Sequence, residues 1–177
     1  MFKLLDPGMN IIPAQENDLP RYIGLLEETA EWLESRGIQQ WRAGNFRAAA
    51  GYYAESIRRQ EVYLAFVGEE LVGTLRVLLE DPIVWPDELM DDGIYLYSLA
   101  VRRTWSGKSL GGQMLRWAFT HAANAGKKFV RLDCVASNPF LAEYYVRAGF
   151  EERGEIEARF PSPVGMLRLK RYQRLVD

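Results

Sequence analysis

The chain has one cysteine, Cys134, and one histidine, His121, among its 177 residues. A lone cysteine excludes an internal disulfide and a thiolate metal cluster. A lone histidine leaves little for a His-rich metal site or a Ser-His-Asp triad. No apolar run reaches the ~18 residues that a membrane span requires. Met1-Phe2-Lys3-Leu4-Leu5-Asp6-Pro7 turns charged too soon for a secretory leader. Internal repeats, low-complexity tracts and linker-like stretches are lacking too. The expectation is one domain over 1–177, cytoplasmic and without a membrane partner. The most informative gap is local: no Asp or Glu occurs from Gly93 to Leu132, while Arg102, Arg103, Lys108, Arg116, Lys127, Lys128 and Arg131 are all basic. A net charge of -2 hides this positive field.

What is present suits a well-packed core, with 48% hydrophobic and 26% charged residues. Asn10 to Ala14 reads as a short strand. A helix follows, capped at Asn17 or Asp18 with Pro20 in its first turn. Leu19, Tyr22, Ile23, Leu26, Ala30 and Leu33 form its buried stripe, and Gly37 ends it. Phe46 to Arg59 reads as a second helix. Val62 to Val67 and Leu71 to Leu79 read as strands joined by a hairpin turn at Gly68-Glu69-Glu70. Glu80 to Asp92 is a loop.

The stretch from Leu96 to Phe150 organises the rest. Tyr95 to Val101 is a run of aromatic and apolar residues suited to a buried strand. After Arg102 to Ser109, Leu110, Met114, Trp117, Ala118, His121 and Ala125 share one helical face until Gly126. Phe129 to Val135 is the next strand. Asn138-Pro139 opens another helix that stops at Gly149-Phe150. Glu151 to Ala158 and Val164 to Tyr172 read as the last two strands, with a turn at Pro161-Ser162-Pro163 between them. A strand that enters a helix through glycines makes an anion site, because the first helical N–H groups lack internal partners and carry the positive end of the helix dipole.

Two common phosphate motifs fail. Gly107-Lys108-Ser109 looks like the end of a P-loop, but Arg102 stands where the earlier glycine is required. No G-x-G-x-x-G is present. A third pattern fits. Leu99-Ala100-Val101, then Ser106-Gly107-Lys108-Ser109-Leu110-Gly111, then Asn138, Tyr145 and Gly149-Phe150, resembles the GNAT family of acyl-CoA-dependent N-acyltransferases. Asn138 precedes Tyr145 by seven residues and Phe150 by twelve, as in that family. Ser106 stands where the family signature has Arg or Gln, and Ser109 where it has its first glycine.

The resemblance implies an α/β (α+β) fold: a mixed, mostly antiparallel sheet of about seven strands flanked by helices, with strands four and five splayed. It implies acetyl-CoA as co-substrate and no metal. The activity it implies is direct transfer of an acetyl group to a primary amine, on a small molecule or a peptide. Cofactor contacts would come from Leu99 and Val101, from Ser106, Gly107, Lys108, Ser109, Leu110, Gly111 and Gly112, and from Asn138. Tyr145 would protonate the leaving thiolate. A backbone N–H near Leu99 or Ala100 would hold the thioester oxygen.

Plainer roles stand beside these. Asn138 also suits a helix N-cap. His121 and Cys134 read as packing residues. Trp41, Phe46 and Trp85 could wall the acceptor pocket or anchor the core. The general base is open: water relayed by Tyr95, Tyr97 or Ser98, or a carboxylate from Glu27, Glu28 or Glu31. The acidic run Glu80, Asp81, Asp87, Glu88, Asp91 and Asp92 could attract a cationic acceptor or be an ordinary polar loop. A rival reading is a degenerate CoA-binding sensor or interaction module, motivated by Ser106, Ser109 and Tyr95. Nucleic acid is disfavoured by a pI of 5.6. A homodimer is an open alternative.

Overall fold

The computed structural model describes residues 8–88 and 91–176, so the reading of the first seven residues as too charged for a leader lies outside them. The strands are β1 (Met9–Pro13), β2 (Val62–Val67), β3 (Glu70–Leu78), β4 (Gly93–Val101), β5 (Phe129–Val135), β6 (Glu151–Phe160) and β7 (Gly165–Leu175). The helices are α1 (Leu19–Ser35), α2 (Asn45–Ala48), α3 (Ala50–Arg58), α4 (Leu110–Asn124) and α5 (Pro139–Arg147). All seven strands join one sheet in the order β1-β2-β3-β4-β5-β7-β6. Neighbours are antiparallel except β4 and β5, which run parallel. The expected α/β architecture is therefore present. The expected second helix is two pieces, because Ala49 leaves helical geometry at φ -101°, ψ 20°.

Each face of the sheet carries helices because each carries apolar side chains. Leu110, Met114, Leu115, Ala118 and Ala122 of α4 pack on Val72, Leu96, Val130, Leu132 and Cys134. On the opposite face Tyr22, Leu25, Leu26 and Ala30 of α1 meet Phe46, Ile57, Leu64, Phe66 and Ala100. Gly73 is required where β3, β4 and α4 meet. A Cβ there would lie 2.9 Å from the Ala100 carbonyl oxygen and 2.9 Å from the Met114 sulfur. A third cluster, Val84, Trp85, Tyr95, Ala158 and Leu169, seats the segment after β3 on the sheet.

Two irregularities shape the centre. The β4–β5 pairing covers only Gly93–Leu96 with Phe129–Leu132. Beyond Leu96 the two strands part, which is the expected splay. In addition β4 bulges toward β3: Thr74 faces Ala100 and Arg76 faces Tyr97, so Ser98 and Leu99 together oppose one residue. Ser98 takes φ +52°, a left-handed conformation uncommon outside glycine. Such bulges re-aim the backbone and cluster at functional sites.

Candidate active site

The parted strands open a cleft of about 260 Å³. Its β4 wall runs from Leu96 through Tyr97, Ser98, Leu99 and Ala100 to Val101. Leu132 and Asp133 of β5 form the opposite wall. Asn138, Phe140, Leu141 and Tyr145 close it from α5. Thr29, Trp32 and Leu33 of α1, with Ile38, Gln40 and Trp41 after it, complete the rim. Thus Leu99, Val101, Asn138 and Tyr145, far apart in sequence, meet around one space.

Tyr145 is buried, packed at ring distances of 5.5 to 5.9 Å against Tyr144, Tyr172 and Phe150. Burial, and then the nearby Cys134, Asp133, Tyr144 and Tyr172, hold its phenol far above the usual value. It keeps its proton at any working pH. Asn138 is the N-cap of α5 and accepts from the Leu141 N–H at 3.3 Å. Its amide nitrogen also donates to Gln40 Oε1 at 3.3 Å. The same Gln40 oxygen accepts the Val135 N–H at 3.1 Å. Gln40 thereby ties the segment after α1 to the edge of β5 that the splay leaves without a strand partner.

At the other end of β4 the chain turns into α4. Gly107 (φ +76°) and Ser109 (φ +58°) both take left-handed geometry, and Ser109 does not cap the helix with its side chain. The first N–H groups of α4, at Leu110, Gly111 and Gly112, therefore face outward without an acidic neighbour in the first turn. Lys108 lies 4.1 Å from the Trp105 ring centre, and Ser106 is extended. The serine at 109 stands in a conformation that glycine adopts freely. Ser109→Gly should remove roughly 1–2 kcal/mol of left-handed strain and return about 0.5–1 kcal/mol as chain entropy. The expected result is a melting temperature slightly raised in calorimetry. A lower melting temperature would contradict this account.

The structure sorts the candidates that were left open. Glu27 is buried to 1% exposure, and its carboxylate accepts the Gly44 and Arg47 N–H groups at 2.7 and 2.8 Å. It holds α2 in place and does not line the cleft. Glu28 faces Arg102 at 3.8 Å, and Glu31 faces Arg47 at 3.9 Å. Tyr95 accepts from Arg131 beneath Trp85, away from the cleft. Trp41 does line the cleft; Phe46 packs behind it at 5.3 Å and Trp85 lies in the core. The acidic run is mostly neutralised by its own fold. Asp87 pairs with Arg171, Asp91 with Lys127, and Glu88 and Asp92 with Arg131. Lys127 and Arg131 are therefore engaged by that run and add nothing to an anion site at α4. His121 stacks on Trp117 at 4.9 Å, and burial lowers its pKa. Cys134 is core, its thiol pushed up to about 12 by burial first and then by Asp133.

Sequence reasoning passed over Asp133. The carboxylate lines the cleft, and among the described residues no hydrogen bond or ion pair reaches it. Protein surrounds it except toward the cleft. That desolvation, and then Asp81, pushes its pKa up to about 8. Asp81 itself is buried and fixed: Oδ1 accepts the Ile83 and Val84 N–H groups, and Oδ2 accepts the Tyr97 hydroxyl at 2.6 Å. Burial first, then both carboxylates, raise Tyr97 far beyond an ordinary phenol. The signal was available: an acid in mid-strand between Leu132 and Cys134 is out of place unless something uses it.

The sheet is parted between its two parallel strands, and a turn with left-handed Gly107 and Ser109 enters a helix N-terminus beyond the end of β4. The sequence matches the acetyltransferase (GNAT) family over residues 25–150, and the chain belongs to that family. It is 35% identical over 151 residues to an uncharacterized N-acetyltransferase, YesJ, of Bacillus subtilis, covering 83% of this chain and 84% of that protein. A GNAT-family acetyltransferase structure from Listeria monocytogenes superposes with a TM-score of 0.77 at 27% identity, over 94% of each chain. The fold is also that of yncA, a putative acetyltransferase from Salmonella typhimurium determined with acetyl-CoA (TM-score 0.65, 15% identity, 96% of this chain and 95% of that one). The chain is thus an acyltransferase. Among the described residues no helix is long and apolar enough to cross a membrane, and no group of three or more His, Cys, Asp or Glu is placed to hold a metal ion.

Proposed function

We propose that this cleft transfers an acetyl group from acetyl-CoA to a primary amine by direct attack. One observation carries the reading: the gap between β4 and β5 brings the bulged backbone at Ser98 and Leu99, Val101 beyond it, the Asn138 cap and the buried Tyr145 around one cavity. The pantetheine arm adds to β4 as an extra strand would, through backbone groups at Leu99 and Val101. Its phosphates meet the turn at Ser106, Gly107, Lys108 and Ser109 and the open N–H groups of Leu110, Gly111 and Gly112. A β4 N–H released by the bulge polarises the thioester carbonyl. Tyr145 delivers a proton to the thiolate as it leaves.

The test has two readouts. Acetyl-CoA at about 100 times its dissociation constant stabilises the native state by ~2.7 kcal/mol. For a chain of this size that is a rise of roughly 5–10 °C in melting temperature. NAD and ATP should do less. Gly112→Asp should abolish the rise, since a Cβ there meets nothing nearer than Arg116 at 3.9 Å and the change is chiefly one of charge. Gly111→Asp should abolish it too, but with a steric cost, because its Cβ would lie 2.9 Å from the Tyr144 hydroxyl. Thiol release is then followed with 2-phenylethylamine, spermidine and a peptide with a free amino terminus. An unchanged melting curve sinks the reading. A thermal shift without turnover of any amine would leave a binding role only.

A further inference from the structure

The acceptor end of the cleft contains a carboxylate to which acetyl transfer, as described above, gives no role. Asp133 projects from β5 on the face it shares with Tyr97, and both line the cavity. Asp81, carried by the segment after β3, is locked onto the Tyr97 hydroxyl and onto two backbone N–H groups. We propose that Asp133 accepts the proton of a cationic primary amine, and that Asp81, which fixes Tyr97 beside it in the cleft wall, is its positioning residue. This rests on the acetyl-transfer reading above and names its acceptor class: an amine that arrives as an ammonium ion and leaves as a neutral amide.

The surroundings of Asp133 fit that task. Arg171 lies directly opposite it on β7, but its guanidinium is engaged by Asp87 and by the Val84 and Arg153 carbonyls. Arg131, one step along the same strand face, is held by Glu88 and Asp92. Arg76 of β3, beside Tyr97, donates to Tyr52 and Glu61. Arg103 lies at the cleft rim, stacked on Trp32 at 3.6 Å. Tyr145 of α5 is neutral. Each cation named on β3, β5 and β7 is thus engaged elsewhere, and the charge that acts on Asp133, that of Asp81, is negative. An ammonium in the cleft is attracted by both carboxylates, and the aromatic rings of Tyr97 and Trp41 in the cleft wall offer it further favourable contacts.

The chemistry balances. Asp133 removes one proton from the ammonium, which frees the nitrogen lone pair. The nitrogen attacks the thioester carbon; the C–N bond forms and the C–S bond breaks. Tyr145 gives its proton to the thiolate and recovers one from the acylated nitrogen. Asp133 returns its proton to water. Each turnover consumes one acetyl-CoA and one ammonium ion, and yields one amide, one CoA thiol and one proton.

The test measures kcat/KM against pH from 6 to 10 with 2-phenylethylamine and spermidine. Wild type should rise toward pH 8 as Asp133 loses its proton, then level. Asp133→Asn should lose roughly 10²-fold near pH 8. The loss should shrink toward pH 10, where free amine is abundant and needs no base. Asp81→Asn keeps the turn through Oδ1 and removes the negative charge, so the rising limb should move to lower pH. Asp133→Asn also removes a carboxylate whose folded pKa lies above its unfolded one. Folding of wild type weakens as pH rises from about 4 to 8, so the variant should melt higher than wild type near pH 8. It should keep the acetyl-CoA thermal shift. A pH-independent loss in Asp133→Asn, no loss, or an unmoved limb in Asp81→Asn overturns the proposal while leaving acetyl transfer intact. If wild type turns over neither these amines nor the peptide with a free amino terminus, the proposal falls with the reading it rests on.

Discussion

Tyr145→Phe is expected to lower turnover by roughly 10²-fold, the low end of what a positioned acid contributes, with little change in the Michaelis constant for acetyl-CoA. The ring stays: it is wedged among Tyr144, Phe150 and Tyr172, and those contacts do not involve the hydroxyl. Among the described residues no hydrogen bond to the hydroxyl is lost on substitution, so folding should be close to unaffected. The effect is held to the low end by the environment itself. Burial raises the phenol far above its ordinary value. A thiol is much more acidic than that, with a reference pKa of about 8.5 for cysteine. Proton delivery to a departing thiolate is therefore uphill on its own, and it is driven by the strongly acidic proton that Tyr145 recovers from the acylated nitrogen. The control is Tyr144→Phe. Tyr144 is a neighbour in sequence, but its hydroxyl lies over Gly111 of α4 and not in the cleft. It should be nearly silent. Equal losses in the two variants, measured by thiol release with a proven amine, would make Tyr145 a packing residue.

The parts of this site that the sequence discloses are those where a local pattern has one physical solution. Apolar spacing placed α1, α4 and α5 within a residue or two, and the asparagine-to-tyrosine interval put Asn138 and Tyr145 on the same helix. The turn into α4 was legible because glycines and an absence of acids mark it. What stayed hidden depends on which side chains meet across the sheet. Arg131 and Lys127 counted toward a positive field near α4, yet they face the segment after β3 and are neutralised there. Glu27 looked like part of a solvated helix face, but Gly44 and Arg47 bring two N–H groups to it from α2. The bulge at Ser98 carries no glycine to announce it. Asp133 announced itself only as an acid in mid-strand; its role stayed hidden because that depends on Tyr97 and Asp81, which are 36 and 52 residues earlier in the chain.

Arg131→Met should destabilise the fold more than any substitution at the cleft or at the turn into α4, although it touches neither the acyl donor nor the acceptor. The Arg131 side chain is 2% exposed and lies between the Trp85, Tyr95 and Phe129 rings at 5.0 to 5.6 Å. It donates to Glu88 and Asp92 at 3.0 Å, to Tyr95 at 3.1 Å and to Gln173 at 2.8 Å. The space for its guanidinium exists because residue 93 is glycine: a Cβ there would sit 2.5 Å from Nη1. Methionine refills the apolar stem but leaves four acceptors without their donor. Breaking a buried pair from one side costs about 3–5 kcal/mol. Glu88 and Asp92 keep 22% and 23% of their side-chain surface open, so water can take over part of the role and the lower figure applies. About 3 kcal/mol corresponds to a fall of roughly 6–12 °C in melting temperature for a chain of this size. Arg131→Lys should recover only part of that, since an ammonium cannot serve this spread of acceptors with a planar fork. The loss should also reach the chemistry at one remove. The segment that Arg131 anchors carries Asp81, and Asp81 holds Tyr97 at the cleft wall. At a temperature where the variant is still folded, its acetyl-CoA thermal shift should match wild type, while amine turnover below pH 8 should change. A drop of less than about 2 °C would mean that the apolar packing of Trp85 and Tyr95, and not the ion pairs, holds this segment to the sheet.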